Sequence, residues 1–172
     1  MKLSIAALAA AFTGAAADFW LLYLHRDSST GWVVVSHSGG AFTNDPDLKC
    51  DRDAKGHSIY EDAGDVSGSQ PGMRTVPGIF VGAPLYRDPL DVVEFNTLDN
   101  APGHHTIYKD RDYAMVNVDG YKSGQCYLNR SYTYSLDCDV AETHVRLSGS
   151  SMFFCESDID VANFDFFINE DI

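Results

Sequence analysis

Cations are scarce in this chain: 12 Lys and Arg stand against 25 Asp and Glu, for a formal charge of −13 at pH 7. A surface of that sign repels nucleic acid and anionic membranes, so neither is expected as a partner. After residue 17 no apolar run is long enough to span a bilayer. The βαβ alternation of the common hydrolase folds is missing, and there is no internal repeat and no sign of a second domain. Cysteine is limited to four residues, none in a CxxC or Cys/His spacing that would suggest zinc. No metal and no cofactor is therefore assigned.

What is present starts at the N-terminus. Met1-Lys2 is a short positive segment, Leu3 to Phe12 is apolar, and Ala15-Ala16-Ala17 supplies the small residues read at a cleavage site. Residues 1–17 are expected to be removed as a signal peptide, leaving 18–172 as one secreted domain of 172 − 17 = 155 residues. Outside the cell, Cys50, Cys126, Cys138 and Cys155 are expected to form two disulfides. Three pairings are possible, with Cys50 to Cys138 or to Cys155 preferred.

The pattern along the chain is that of an all-β protein. Asp18 to Leu24 reads as a strand buried on both faces, His25 to Gly31 as a polar turn, and Gly31 to Ser36 as a second strand paired with the first. Residues 42–78 are rich in Gly, Pro and Asp and read as a long loop insertion, holding only short strands such as Ser58-Ile59-Tyr60. Ile79-Phe80-Val81 and Asp91 to Phe95 are further strands. A three-stranded meander is expected over 104–128: Thr106 to Tyr108, a break at Lys109 to Asp112, Tyr113 to Val118, a type I′ turn at Asp119-Gly120, and a strand carrying Cys126. Ser131 to Leu136 alternates as a strand with one buried face. His144 to Leu147 and Ser151 to Cys155 read as two strands separated by a turn at Gly149. In the acidic tail, 156–172, a capping box at Ser157 favours a helix, while Phe164 to Ile168 looks like an edge strand. The fold expected is a single antiparallel β-sandwich or distorted barrel with a long loop insertion, stapled by two disulfides.

Candidate chemistry is thin. Ser36-His37-Ser38-Gly39-Gly40 resembles a GxSxG elbow, but Ala41 to Pro46 cannot form the helix that must follow, so these residues read as a turn. Asp51 to Asp62 follows an EF-hand loop in outline, except that Lys55 puts a cation among the ligands; a solvated acidic loop is the plainer reading. His104 and His105 would point to opposite faces of a strand and so cannot easily share a metal. Asp91, Glu94 and Asp112 could be paired as glycosidase carboxylates, as almost any acids in so acidic a chain could. No catalytic residue is assigned. Asn129-Arg130-Ser131 is a glycosylation sequon placed after a strand.

The Ala-rich leader, the opening Asp18-Phe19-Trp20-Leu21, the Asp65-Val66-Ser67-Gly68 loop, and His105 to Arg111 leading to Asp119-Gly120 and Cys126 together resemble the small secreted, cysteine-containing proteins of filamentous fungi treated as candidate effectors. The resemblance implies action outside the cell by binding a host extracellular protein, and no catalytic residue. Some such proteins are similar in size to protease inhibitors, although Gln70-Pro71-Gly72 departs from the QxVxG loop of cystatins. The concrete expectation is a monomer that inhibits a papain-like cysteine protease. A stiff loop from Gln70 to Gly82 would be the wedge, with Gln70, Pro71, Gly72, Met73, Arg74, Thr75, Val76 and Pro77 in contact. The competing expectation is a small carbohydrate-binding or carbohydrate-active protein, which needs converging carboxylates or a row of exposed aromatics.

Overall fold

In a computed structural model of the chain, the residues described are 17–50, 59–61, 63–78, 90–98 and 102–161. The leader up to residue 16, nearly all of the EF-hand-like segment, the strand expected at Ile79 to Val81 and the tail at 162–172 lie outside them. The described residues form one antiparallel sheet of ten strands that curls into a nearly closed barrel. In chain order these are β1 (Phe19–Thr30), β2 (Val33–Thr43), β3 (Tyr60–Glu61), β4 (Gly72–Val76), β5 (Val92–Asn96), β6 (His104–Tyr108), β7 (Ala114–Asn117), β8 (Lys122–Leu128), β9 (Thr133–Val140) and β10 (Thr143–Ser157). Their spatial order is β3-β2-β1-β10-β8-β7-β6-β5-β4, with β9 also paired to β10. The amide of Ala63, just past β3, donates to the Met73 carbonyl on β4 at 2.7 Å and brings the two ends together. Among the described residues no helix is long and apolar enough to cross a membrane.

β10 organises the sheet. One of its edges pairs with β1 along almost its whole length; the other serves β9 over Thr143–Ser150 and β8 over Phe153–Ser157. The switch falls at a β-bulge at Met152, where the register against Leu21 and Leu22 skips a residue. There Met152 accepts from the Asn129 amide at 2.9 Å and Ser151 donates to the Tyr132 carbonyl at 3.0 Å, which ties in the chain between β8 and β9. The turn expected at Gly149 is absent: the two short strands are one strand of 15 residues. Gly149 is there for close approach, because a β-carbon on it would stand 2.0 Å from the Tyr23 carbonyl oxygen.

β1 is buried on both faces, as its apolar opening predicts. Phe19, Leu21 and Tyr23 point into the barrel with Phe42, Met73, Phe95, Ile107 and Phe153. Leu22 and Leu24 point the other way, against Ala41, Tyr134, Leu147 and Leu48. Leu48 belongs to the segment after β2, which is held by Tyr134 Oη donating to the Pro46 carbonyl at 2.9 Å and by the Cys50–Cys138 disulfide. The second disulfide, Cys126–Cys155, joins directly opposed residues of β8 and β10 inside the barrel core. All four cysteines are thus paired, Cys50 with one of its two preferred partners.

Three local expectations are corrected. His25 to Thr30 and Ser36 to Gly40 are not turns; they extend β1 and β2 into one long hairpin closed by Gly31-Trp32. A sheet partner on β1's other edge, β10, keeps these polar stretches extended where composition alone suggested a bend. Within residues 42–78, β3 falls at the short strand expected near Tyr60, and β4 at Gly72–Val76 is a second strand where loop was expected. In the meander, the strands fall where expected, but of Asp119 and Gly120 only Gly120 has positive φ, at 81°, so the pair is not a type I′ turn. Asn117 decides this: its side-chain oxygen accepts from the Asp119 and Tyr121 amides at 3.1 and 2.9 Å, which moves the turn to Asn117–Gly120.

Candidate functional site

Beyond Tyr23 the β1–β2 hairpin and the β9–β10 hairpin run past the barrel core side by side. Alternation then places His25, Asp27 and Ser29 of β1 on one face. Register puts Ser38, Ser36 and Val34 of β2 beside them, and Ser148, Arg146 and His144 of β10 on the other side. β9 completes the rows with Ser135, Asp137 and Asp139. The result is a polar face four strands wide.

Its groups are hydrogen-bonded to one another. His25 Nδ1 lies 2.6 Å from Ser38 Oγ, and His25 Nε2 lies 3.1 Å from Asp27 Oδ1, which also accepts from Ser36 Oγ at 2.5 Å. Across the sheet, Asp137 holds both His144 Nε2 at 2.8 Å and Arg146 Nη2 at 3.4 Å, while His144 Nδ1 reaches Asp139 at 2.9 Å. A carboxylate facing Nε2 makes that nitrogen the donor and leaves Nδ1 of His25 to accept from Ser38, the order of groups in a serine nucleophile relay. The surroundings do not serve acyl transfer. Ser38 is only 9% exposed, and Gly39 and Gly40 lie between β1 and β3 in the ladder, so their amides face strands rather than a reacting carbonyl.

At the end of this face sits an apolar knob. Trp32 is fully exposed, at 102%, and Val33 and Val34 are 62% and 63% exposed. The neighbouring β9–β10 end is adjacent, with Thr30 Oγ1 3.2 Å from Thr143 Oγ1. Carboxylates lie along the polar face behind it, at Asp27, Asp137 and Asp139, while Glu61, bound to His37 Nδ1 at 2.8 Å, sits level with Gly39 toward the other end of β2. Tyr127, another exposed aromatic, is level with Trp20 through Phe154, some 12 residues of strand away, or about 40 Å. Those two aromatics are too far apart to belong to one row.

The middle of the expected wedge is a strand rather than a loop. Gly72–Val76 is β4, paired to β5, and Met73 and Thr75 are buried at 2% and 5% exposure because they face the barrel interior. Gln70, Pro71 and Pro77 are exposed, Arg74 and Val76 half-buried, and 79–82 lie outside the described residues. Arg74 instead bridges to Glu94 at 3.2 Å, and His104 Nε2 meets the same carboxylate at 3.0 Å. Asp91 pairs with Lys109 at 2.7 Å, so it and Glu94 have separate partners, while Asp112 holds Gln125 Nε2 through its backbone carbonyl at 2.6 Å. His104 and His105 do take opposite faces: His105 lies against the Phe95 ring, where burial, and next the charge of His104, hold its pKa below the usual histidine value. Asn129 forms an Asx turn, its Oδ1 accepting from the Ser131 amide at 3.1 Å and from the Ser131 hydroxyl. Among the described residues no cluster of three or more His, Cys, Asp or Glu could hold a metal ion.

Sequence reasoning missed His25, Asp27 and Trp32 as a group. The available signal was mirror symmetry: His25 and Ser38, and Asp27 and Ser36, are equidistant from Gly31-Trp32. Comparison of the chain with protein families, with curated proteins and with solved structures finds no match.

Proposed function

We propose that this is a secreted, non-enzymatic, effector-like protein that binds a host extracellular protein through the end of the β1–β2 hairpin. The observation that carries the reading is Trp32, wholly exposed at a hairpin turn beside Val33 and Val34. Tryptophan in such a place contributes large apolar area at low entropic cost and is typical of interface anchors. Asp27, Asp137 and Asp139 on the adjoining face favour a basic partner surface, consistent with the charge of −13. Two disulfides suit an oxidising, extracellular setting. The finer reading, inhibition of a papain-like cysteine protease, passes from Gln70–Gly82 to this hairpin, whose narrow tip has the shape of a cleft-filling wedge.

The test is capture from host extracellular fluid by the oxidised protein, with Trp32→Ala as the comparison and papain inhibition measured alongside. Trp32→Ala should fold normally and lose about 2 kcal/mol of binding, roughly thirtyfold. Equal capture by parent and variant, or none by the parent, removes the proposal. Absence of papain inhibition removes only the protease reading.

A further inference from the structure

Among the described residues, the outer edge of β2 is open from Val33 to His37. β3 pairs only with Gly39 and Gly40, and among the described residues no strand lies against Val33 to His37 on that side. The direction of the free backbone groups follows from the hairpin. Thr30 and Val33 flank a two-residue turn and therefore exchange hydrogen bonds with each other; alternation then turns the N–H and C=O groups of Val34 and Ser36 away from β1, and those of Ser38 toward the start of the β3 ladder. Trp32-Val33-Val34-Val35-Ser36-His37-Ser38 contains no Asp, Glu, Lys, Arg or Pro. Charged side chains and proline are the usual protection of an exposed edge, and this one has neither.

We infer that β2 binds its partner by strand addition, taking up an extended segment that is basic and β-branched. This rests on the protein-binding reading above and specifies its mode. The segment would run beside Val34 and Ser36, with Trp32 covering its end. The surroundings set its charge: Glu61 stands at the end of the open edge, Asp27 one strand in, and the chain as a whole is strongly acidic. The same balance opposes a second copy of this chain as the occupant, since two acidic edges would have to meet.

The probe is a synthetic peptide, acetyl-Lys-Val-Thr-Val-Lys-Val-Thr-amide, with an all-Glu counterpart in place of its lysines. Hydrogen exchange of the oxidised protein should slow at Val34 and Ser36 with the Lys peptide and not with the Glu peptide, while Val33 and Val35 stay unchanged. Val34→Pro removes one outward donor without touching the β1 ladder and should weaken peptide binding about tenfold; Val34→Thr keeps the backbone and should bind within about threefold of the parent. The exchange measurement on the parent stands even if Val34→Pro fails to fold. Unchanged exchange at those two amides under saturating peptide overturns the inference, as does protection of them by self-association without peptide. Capture of a host protein that leaves these amides unprotected would sink strand addition and leave the protein-binding proposal standing.

Discussion

Replacing Gly149 by alanine tests the packing of β10 on β1. The added β-carbon would stand 2.0 Å from the Tyr23 carbonyl oxygen and 3.0 Å from Leu24 Cα, both backbone atoms. Ordinary contact starts at 3.4 Å, so the strands must part locally by 3.4 − 2.0 = 1.4 Å. A ladder hydrogen bond near 2.9 Å does not survive that separation. Overpacking costs about 1 to 3 kcal/mol, and one or two lost ladder bonds about 1 kcal/mol each, giving about 3 kcal/mol in all. Two other glycines serve as internal standards. At Gly40 the new carbon would meet Met73 Cε at 1.9 Å, but that is the free end of a flexible thioether, and about 1 kcal/mol is expected. At Gly64 nothing lies within 4 Å, and alanine should be neutral to slightly stabilising. Urea unfolding with disulfides intact reads all three, and Gly149→Ala should lower Tm by about 6 to 12 °C. A Gly149→Ala protein within about 0.5 kcal/mol of the parent, or less affected than Gly40→Ala, would refute the close approach of these two strands.

The two disulfides should differ in their effect. With sequence separations of 88 and 29, loop-closure entropy gives about 4.6 kcal/mol for Cys50–Cys138 and about 3.6 kcal/mol for Cys126–Cys155; paired Cys→Ser variants in urea should show the first as the costlier loss, and the reverse order would contradict the entropic account. Burial depresses the pKa of His105, so the unfolded chain takes up its proton first as pH falls. The contribution is fully present above the ordinary value of 6.5 and is lost as pH drops from there through the lowered folded value. The urea midpoint should therefore fall from about pH 7.5 to pH 5, and fall less in His105→Gln; an unchanged slope in that variant rules the residue out as the source. Protein from a secreting eukaryotic host should carry a glycan at Asn129 that disappears, by mass, in Ser131→Ala; unmodified parent protein would show that the Asx turn is not used.

Strand content was legible because it is local. The alternation in Val92–Asn96 and Ser131 to Leu136, and the polar break at Lys109 to Asp112, survive in the structure close to where they were read. Polar or glycine-bearing stretches were misread wherever a strand depends on its neighbours. His25 to Thr30 has no apolar period of its own and is held straight by partners on both edges. Gly149 has the composition of a turn but serves as a crossing point. Gln70–Pro77 carries the Pro and Gly of a surface loop, yet Met73 is drawn into the barrel by Phe42 and Phe95.

The chain's own sequence determined that it is made of strands, that its first strand is covered on both sides, that its cysteines form two pairs, and that its charge is strongly negative. Those properties depend on composition and on a period of two residues, which any short window contains. Only the tertiary structure decided which cysteines meet, that β10 has different neighbours along its two halves, that Gly72–Val76 is a strand with Met73 and Thr75 turned inward, and that, among the described residues, Trp32 and the Val33 to His37 edge of β2 are left uncovered. Each of these is a contact between residues far apart along the chain, and pairing over such distances is settled by which side chains fill a shared core, a quantity no local window holds.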